Sequence, residues 1–183
     1  MTLRRTCPVC DCGQAATLAD RADVPVHQNQ VFADAAGARA MPRGRLLMRC
    51  CERCGFVWNA AFDETLLRYD RQYDNRQTCS PAFVAHMEAM VDRVLAAAPP
   101  AARFVEVGCG KGAFLHRLIE RAGDGCTGVG FDPTYDGPDA ALDGRLRFER
   151  RFFDADAARQ VGPDVIVCRH VIAHIADPVT FLR

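Results

Sequence analysis

FVEVGCGKGAFLHRLIER, residues 104–121, is the stretch whose reading decides the fold. FVEVGCG (104–110) reads as a buried strand running into a glycine turn, and AFLHRLIER (113–121) as the helix that leaves it. Downstream the same alternation continues. CTGVGFDP (126–133) reads as a second strand, LRFERRFF (146–153) as a third, 154–160 as a short helix and DVIVCRHV (164–171) as a fourth strand, and Asp177-Pro178 opens another helix. Short apolar strands alternating with helices predict an α/β fold whose parallel sheet is covered on both faces. Upstream, Ser80 suits an N-cap and Pro81 the first helical position. Val84, Met87, Val91, Val94 and Ala98 then recur at spacings of three and four until Pro99-Pro100 ends the helix.

The rest of the chain is different in kind. Residues 57–79 read as a connector with a short helical turn. Residues 1–56 carry eight arginines against five acids and no long helical period, and are too small and polar to bury a core without a staple. The expected organisation is therefore a small module (1–56), a connector (57–80) and an α/β domain (81–183). The whole chain has 183 residues, 23 basic against 23 acidic side chains and 49% hydrophobic residues. That balance excludes a disordered or fibrous protein and gives no bulk attraction to nucleic acid or anionic membrane. No secretory signal follows the N-terminal arginines, and no apolar run is long enough to span a bilayer. A cytoplasmic protein with reduced thiols is the expectation.

Ten cysteines are then a high count, and six of them are clustered. Cys7-Pro-Val-Cys10 and Cys51-Glu-Arg-Cys54-Gly55 form two C-x-x-C knuckles about 40 residues apart. A two-residue spacer lets both sulfurs of a knuckle point into one tetrahedral site, and four thiolates suit zinc. Cys12 or Cys50 could substitute for a neighbour. A redox dithiol would need a βαβ setting that 1–56 does not offer. With all four positions filled by protein, the metal's expected role is to fold the module. Cys109, Cys126 and Cys168 read as small apolar residues without chemistry.

Glu106-Val-Gly108-Cys-Gly110-Lys-Gly112 is the second constellation, followed by Asp132 at the end of the next strand. Glycines at such a turn let a ligand lie against the backbone at a helix N-terminus. An acid about 20 residues on can accept the hydroxyls of a ribose. A nucleoside-containing cofactor is implied. A dinucleotide site would prefer G-x-G-x-x-G, whereas here an acid opens an E-x-G-x-G-x-G pattern, suited to a ligand that carries cationic groups.

That pattern resembles motif I of class I S-adenosylmethionine-dependent methyltransferases. The likeness extends through the paired cysteines, the connector YDRQYDNRQTCSPAF (69–83), GFDPTYDGP (130–138) and CRHVIAHIADPVTFL (168–182). Together these resemble bacterial methyltransferases with an N-terminal zinc-binding module, a group that includes sugar C-methyltransferases. The resemblance implies a Rossmann-like methyltransferase core behind a small four-cysteine zinc module, with S-adenosylmethionine and zinc as cofactors. Glu106 and Gly112 belong to the cofactor turn, Gly108 and Gly110 would line the methionine portion, and Asp132 would bind the ribose. Phe153 and Asp154 would flank the adenine, and Tyr69 and Tyr73 would cover the cofactor from the linker or simply pack that linker. His170 and His174 follow the fourth strand, where donor and acceptor meet in this class. A glutamate common in the related pattern is Ala173 here, so no acid stands at that position; the histidines could act as a base or orient the acceptor, or be hydrogen-bonded structural groups at a strand–helix junction.

Class I methyltransferases have a seven-stranded sheet, and four strands are read here before Arg183. A fragment or truncated reading frame is therefore expected, prone to self-association through the unpaired edge of its fourth strand. The functional expectation is methyl transfer to a small molecule, such as a nucleotide-linked sugar. The alternatives are an RNA methyltransferase whose zinc module grips nucleic acid, which the single lysine and neutral balance disfavour, and a cofactor-binding or interaction fragment without turnover.

Overall fold

The computed structural model describes residues 3–27, 30–66 and 80–183. The chain divides into two compact units, Met1–Arg68 with Ile172–Arg183, and Tyr69–Val171.

The first unit is built on an antiparallel sheet. β1 (Ala15–Pro25) is joined by a short helix, α1 (Ala35–Arg39), to β2 (Arg43–Cys51), and β3 (Val57–Asn59) pairs with the other side of β2. Asp34 caps α1, accepting a hydrogen bond from the Gly37 amide at 2.7 Å. Most of β1 is solvent-exposed, and ion pairs such as Arg45–Asp20 and Arg43–Asp23 line the hairpin. Its buried centre is small, consisting of Cys7, Cys51, Trp58 and Ala60, so half of it is cysteine. The staple expected of so small a core is thus part of the core itself.

One boundary differs from the sequence reading. Residues 57–59 read as the start of a connector, yet they form β3, with Cys50 opposite Val57 and Arg49 opposite Trp58. The cause is Trp58. Its indole is buried, and its Nε1 donates to the Arg4 carbonyl at 3.4 Å, a long-range contact without a local sequence signal. The expected helical turn is a single 3-10 turn, Glu64–Leu66. The remainder of the connector, with Tyr69, Tyr73 and Cys79, lies outside the described residues.

The second unit opens with α2 (Pro81–Ala97), where Ser80 Oγ accepts from the Phe83 amide and Met87 and Val91 are buried. Then follow β4 (Arg103–Val107), α3 (Ala113–Arg121), β5 (Thr127–Phe131), a two-residue β6 (Ala140–Ala141), β7 (Leu146–Glu149), α4 (Ala155–Val161) and β8 (Val165–Cys168). They form one five-stranded sheet in the order β6-β7-β5-β4-β8. β7, β5, β4 and β8 run parallel, and β6 is antiparallel to β7. The core of this unit includes Val91, Phe104, Leu115, Leu118, Ile119 and Leu146. α3 lies close on β5, since a Cβ at Gly128 would come within 2.8 Å of Ile119. α2 and α3 are tied by Glu88 to Arg117 at 2.7 Å and to Arg121 at 3.0 Å.

Two strands are shorter than expected. β7 ends at Glu149, where its register with β5 runs out opposite Phe131. β8 ends at Cys168, and His170 then takes a left-handed backbone (φ 57°) that no extended strand accommodates. Among the described residues β8 pairs with β4 alone, and Ile166 is 52% exposed. A cleft of about 370 Å³ lies there, lined by Arg93, Val94, Ala97 and residues 165–168 and by none of the glycine-turn residues. The final short helix, α5 (Pro178–Phe181), capped by Asp177, packs with the first unit. No helix among the described residues is long and apolar enough to cross a membrane.

Candidate metal centre and cofactor turn

The knuckles of the first unit have matching backbone geometry. In the first, the Asp11 amide donates to the Cys7 carbonyl at 3.0 Å; in the second, the Gly55 amide donates to the Cys51 carbonyl at 2.9 Å. Asp11 and Gly55, each directly after its pair, both have positive φ, 57° and 74°. Glycine at 55 was legible as the turn residue. Asp11 performs the same turn without that signal, being among the types that tolerate the left-handed region.

The four sulfurs of Cys7, Cys10, Cys51 and Cys54 all lie within 4.8 Å of one another. The closest approaches are 3.5 Å for Cys10–Cys54 and 3.6 Å for both Cys7–Cys54 and Cys10–Cys51. A tetrahedral zinc with bonds near 2.3 Å spaces its sulfurs about 3.8 Å apart, so the cluster is compatible with zinc. Cys12 and Cys50 do not belong to it, because their thiols face the carbonyls of Gln14 and Gly55. Burial opposes ionisation of Cys51, but hydrogen bonds from the amides of Cys54 and Arg53 and the thiols of Cys10 and Cys54 together bring it down to about 6, while the Cys10 and Cys54 thiols are raised.

In the second unit, the turn between β4 and α3 carries three residues with positive φ, Gly108, Gly110 and Gly112. Their reasons for being glycine differ. A Cβ on Gly108 would meet Val171 at 2.4 Å, and one on Gly112 would meet the Phe148 ring at 2.6 Å, whereas one on Gly110 would enter open space. Gly110 is therefore the position where the backbone is open to a ligand. Phe148 in turn stacks on Tyr135, with ring centroids 4.1 Å apart.

Asp132, just past β5, holds this turn. Its Oδ2 accepts from the Gly110 amide at 2.8 Å, and its Oδ1 accepts from the amide and hydroxyl of Thr134 at 2.7 and 2.6 Å. Three of roughly four acceptor positions on the carboxylate are thus occupied. The remaining one, on Oδ2, is available to a ligand hydroxyl. Lys111, the single lysine, reaches across to the Thr134 carbonyl at 2.9 Å and to Asp136 at 3.0 Å.

Glu106, on β4, is 3% exposed, and its Oε2 has no hydrogen-bond partner. Burial pushes its carboxyl up to about 8, although Arg169 and the Leu115 amide pull the other way. Arg169 Nη1 is 3.8 Å from Glu106 Oε1, and its guanidinium carbon sits 3.9 Å from the centre of the Phe114 ring. The sequence reading missed Arg169, which it placed inside the expected fourth strand, 164–171; β8 ends at Cys168, directly before it. Burial raises the Cys109 and Cys168 thiols; Cys109 is a core residue, whereas Cys168 is exposed at the end of β8 and does not sit in the core.

Phe153 meets the Phe131 ring edge-on at 5.2 Å, and Asp154 caps α4 through the Ala157 amide. Both follow β7 on the same side of the sheet order as Asp132. His170 packs near Phe83, with ring centroids 6.5 Å apart. Its left-handed backbone is a sparsely populated state for a non-glycine residue. His174 ends the 3-10 turn Ile172–His174, which groups with the first unit.

A parallel sheet, a glycine turn into a helix and an acid at the end of the adjoining strand define a Rossmann-like nucleoside-binding core. The profile of a methyltransferase-domain family matches residues 75–183, more than half of the chain, and the chain belongs to that family. By family it is a methyltransferase, and the family implies S-adenosylmethionine as its cofactor. A search of curated proteins finds no match.

Proposed function

We propose that this chain transfers a methyl group from S-adenosylmethionine to a small-molecule acceptor, and that carbon methylation of nucleotide-linked sugars is the first chemistry to test. The observation that carries the reading is the hydrogen bond from Gly110 to Asp132, which joins the open position of the turn to the acid expected to meet a ribose. Bound S-adenosylmethionine supplies a methyl carbon made electrophilic by its sulfonium. The open backbone at Gly110, beside Gly108, would lie along the methionine portion, and the free lone pair of Asp132 would take a ribose hydroxyl. Phe153 and Asp154 would border the adenine. Glu106, a buried carboxyl with an orphaned oxygen that burial keeps protonated without ligand, would ionise beside a cationic group on the ligand.

Acceleration would come chiefly from holding donor and acceptor in line, which needs no acid or base on this chain unless the acceptor must lose a proton. His170 and His174 are the candidates for that proton. Zinc at Cys7, Cys10, Cys51 and Cys54 would fold the first unit and take no part in the reaction, since protein fills all four positions. The test is transfer of isotope-labelled methyl to a panel of nucleotide-linked sugars and, in parallel, to total RNA, with the labelled atom located by NMR. Labelled carbon on a sugar is the expected product. Label in RNA alone would move the reading to nucleic acid, and absence of cofactor binding would sink both.

A further inference from the structure

Lys111 has no part in the proposed methyl transfer, yet it is the single lysine among 23 basic residues and stands in the glycine turn between Gly110 and Gly112. Its side chain is 17% exposed, and its ammonium reaches the loop after β5, donating to the Thr134 carbonyl at 2.9 Å and to Asp136 Oδ2 at 3.0 Å. Asp136 is half open to water, so that ion pair alone contributes little stability. The bond to Thr134 is different in kind. Thr134 is buried, and its amide and hydroxyl both donate to Asp132 Oδ1. It is therefore gripped from two sides, by Asp132 at its amide and by Lys111 at its carbonyl. Gly110, the neighbour of Lys111, donates to the other oxygen of Asp132. The two loops are thus closed into a ring, running from Gly110 to Asp132, on to Thr134, across to Lys111 and back along the chain to Gly110.

What such a ring fixes is the direction of the lone pair that Asp132 keeps for a ligand. The last torsion of an aspartate is soft, so its carboxylate turns whenever its donors move. We propose that Lys111 is a positioning residue for ribose recognition: by holding Thr134 it keeps the Asp132 carboxylate aimed at a ligand hydroxyl. This rests on reading the site as one for a nucleoside-containing cofactor. A compact ammonium with three rotatable donors suits the task, since it bonds a carbonyl and a carboxylate at once, whereas a guanidinium presents its donors in a rigid planar fork. Lys111 acts through Asp132, so its removal costs discrimination between ligands with and without ribose hydroxyls and spares nucleoside binding in general.

Two competitors of S-adenosylhomocysteine separate this from a structural role: adenosine, and 2′,3′-dideoxyadenosine, which lacks both ribose hydroxyls. Their affinities would be measured by competition calorimetry on the full chain, on Lys111→Met, Lys111→Arg and Asp132→Asn, and on the double variant Lys111→Met with Asp132→Asn. Wild type should prefer adenosine about 10-fold or more. Lys111→Met should cut that preference about threefold or more and leave dideoxyadenosine near its wild-type affinity. Lys111→Arg should recover part of the preference. In the Asp132→Asn background, the loss of Lys111 should change the preference no further, because the carboxylate it acts through is gone. A lowered melting temperature with the preference intact would show that Lys111 only braces the fold, and the proposal falls. It falls too if Lys111→Met cuts the preference equally with and without the Asp132 carboxylate. Should Lys111→Met not fold, Lys111→Gln carries the same comparison under the same two criteria. Wild-type protein that binds S-adenosylhomocysteine but does not prefer adenosine would overturn the proposal while leaving the cofactor reading intact. Wild-type protein that binds none of the three would overturn both.

Discussion

Asp132 accepts a hydrogen bond from the amide of Gly110 at 2.8 Å, so the acid that ends β5 clasps the turn that ends β4. One residue thereby fixes the shape of the turn and presents a lone pair beside its open position. Substituting it should be read out in both properties.

For binding, Asp132→Ala is expected to weaken S-adenosylhomocysteine by about 1.5–3 kcal/mol, the range for a charge-assisted hydrogen bond lost from a site. It should also lower the melting temperature, because the Gly110 and Thr134 amides lose their acceptor. Calorimetry and a thermal melt on the same preparation check the two effects. NAD binding tighter than that of S-adenosylhomocysteine would point to an oxidoreductase instead.

The glycines of the turn should divide by mechanism. Gly112→Ala adds a Cβ within 2.6 Å of Phe148 at a φ of 78°, and should destabilise the fold by about 1–3 kcal/mol. Gly110→Ala strains the backbone without a clash and should act mainly on cofactor affinity. Denaturation midpoints compared with binding constants for the two variants test this, and equal effects on both readouts would contradict it.

Zinc content is expected at about one ion per chain by elemental analysis of protein purified without chelator. Cys51→Ser or Cys54→Ser should abolish it, while Cys12→Ser, Cys50→Ser and Cys126→Ser should retain it. Well-folded protein without zinc would refute the assignment. Loss of zinc in the Cys12 variant would show that the cluster extends beyond the four sulfurs that converge here.

Glu106 gives a pH dependence of defined sign. Burial, reinforced by the Asp132 charge, raises its folded value to about 8 from an ordinary value of 4.5, against the pull of Arg169 and the Leu115 amide. The folded protein therefore keeps a proton that the unfolded chain releases. This group's contribution is fully present below about pH 4.5 and is lost as pH rises toward 8, with a slope of at most about 1.4 kcal/mol per pH unit. Glu106→Gln has no such proton to lose. Without ligand it should gain stability relative to wild type as pH rises from 5 to 8, which urea denaturation at the two pH values measures. A constant difference between the two proteins would mean that Glu106 is solvated or better paired than its burial indicates.

What could be read from the sequence was what is local in the chain. The strand, turn and helix of residues 104–121 follow from adjacent residues, as does the Ser80-Pro81 start of α2. The two C-x-x-C knuckles could be matched because each closes its own turn, which leaves only their meeting to be inferred. Asp132 was legible because the distance from a glycine turn to the end of the next strand is set by the length of one helix. The tertiary structure decided everything that depends on which side chains meet across elements. It excluded Cys12 and Cys50 from the sulfur cluster, since a thiol's direction depends on the register of β1, β2 and their turns. It drew residues 57–59 into the first unit through the burial of Trp58. It also separated the glycines, reserving two for the approach of Val171 and Phe148 and leaving Gly110 open. Arg169 gained its place beside Glu106 only when β8 paired with β4, because 62 residues of intervening chain carry no local record of that contact. Local sequence fixes backbone conformation through sterics and hydrogen bonds over a few residues, whereas such encounters depend on the packing of the whole sheet.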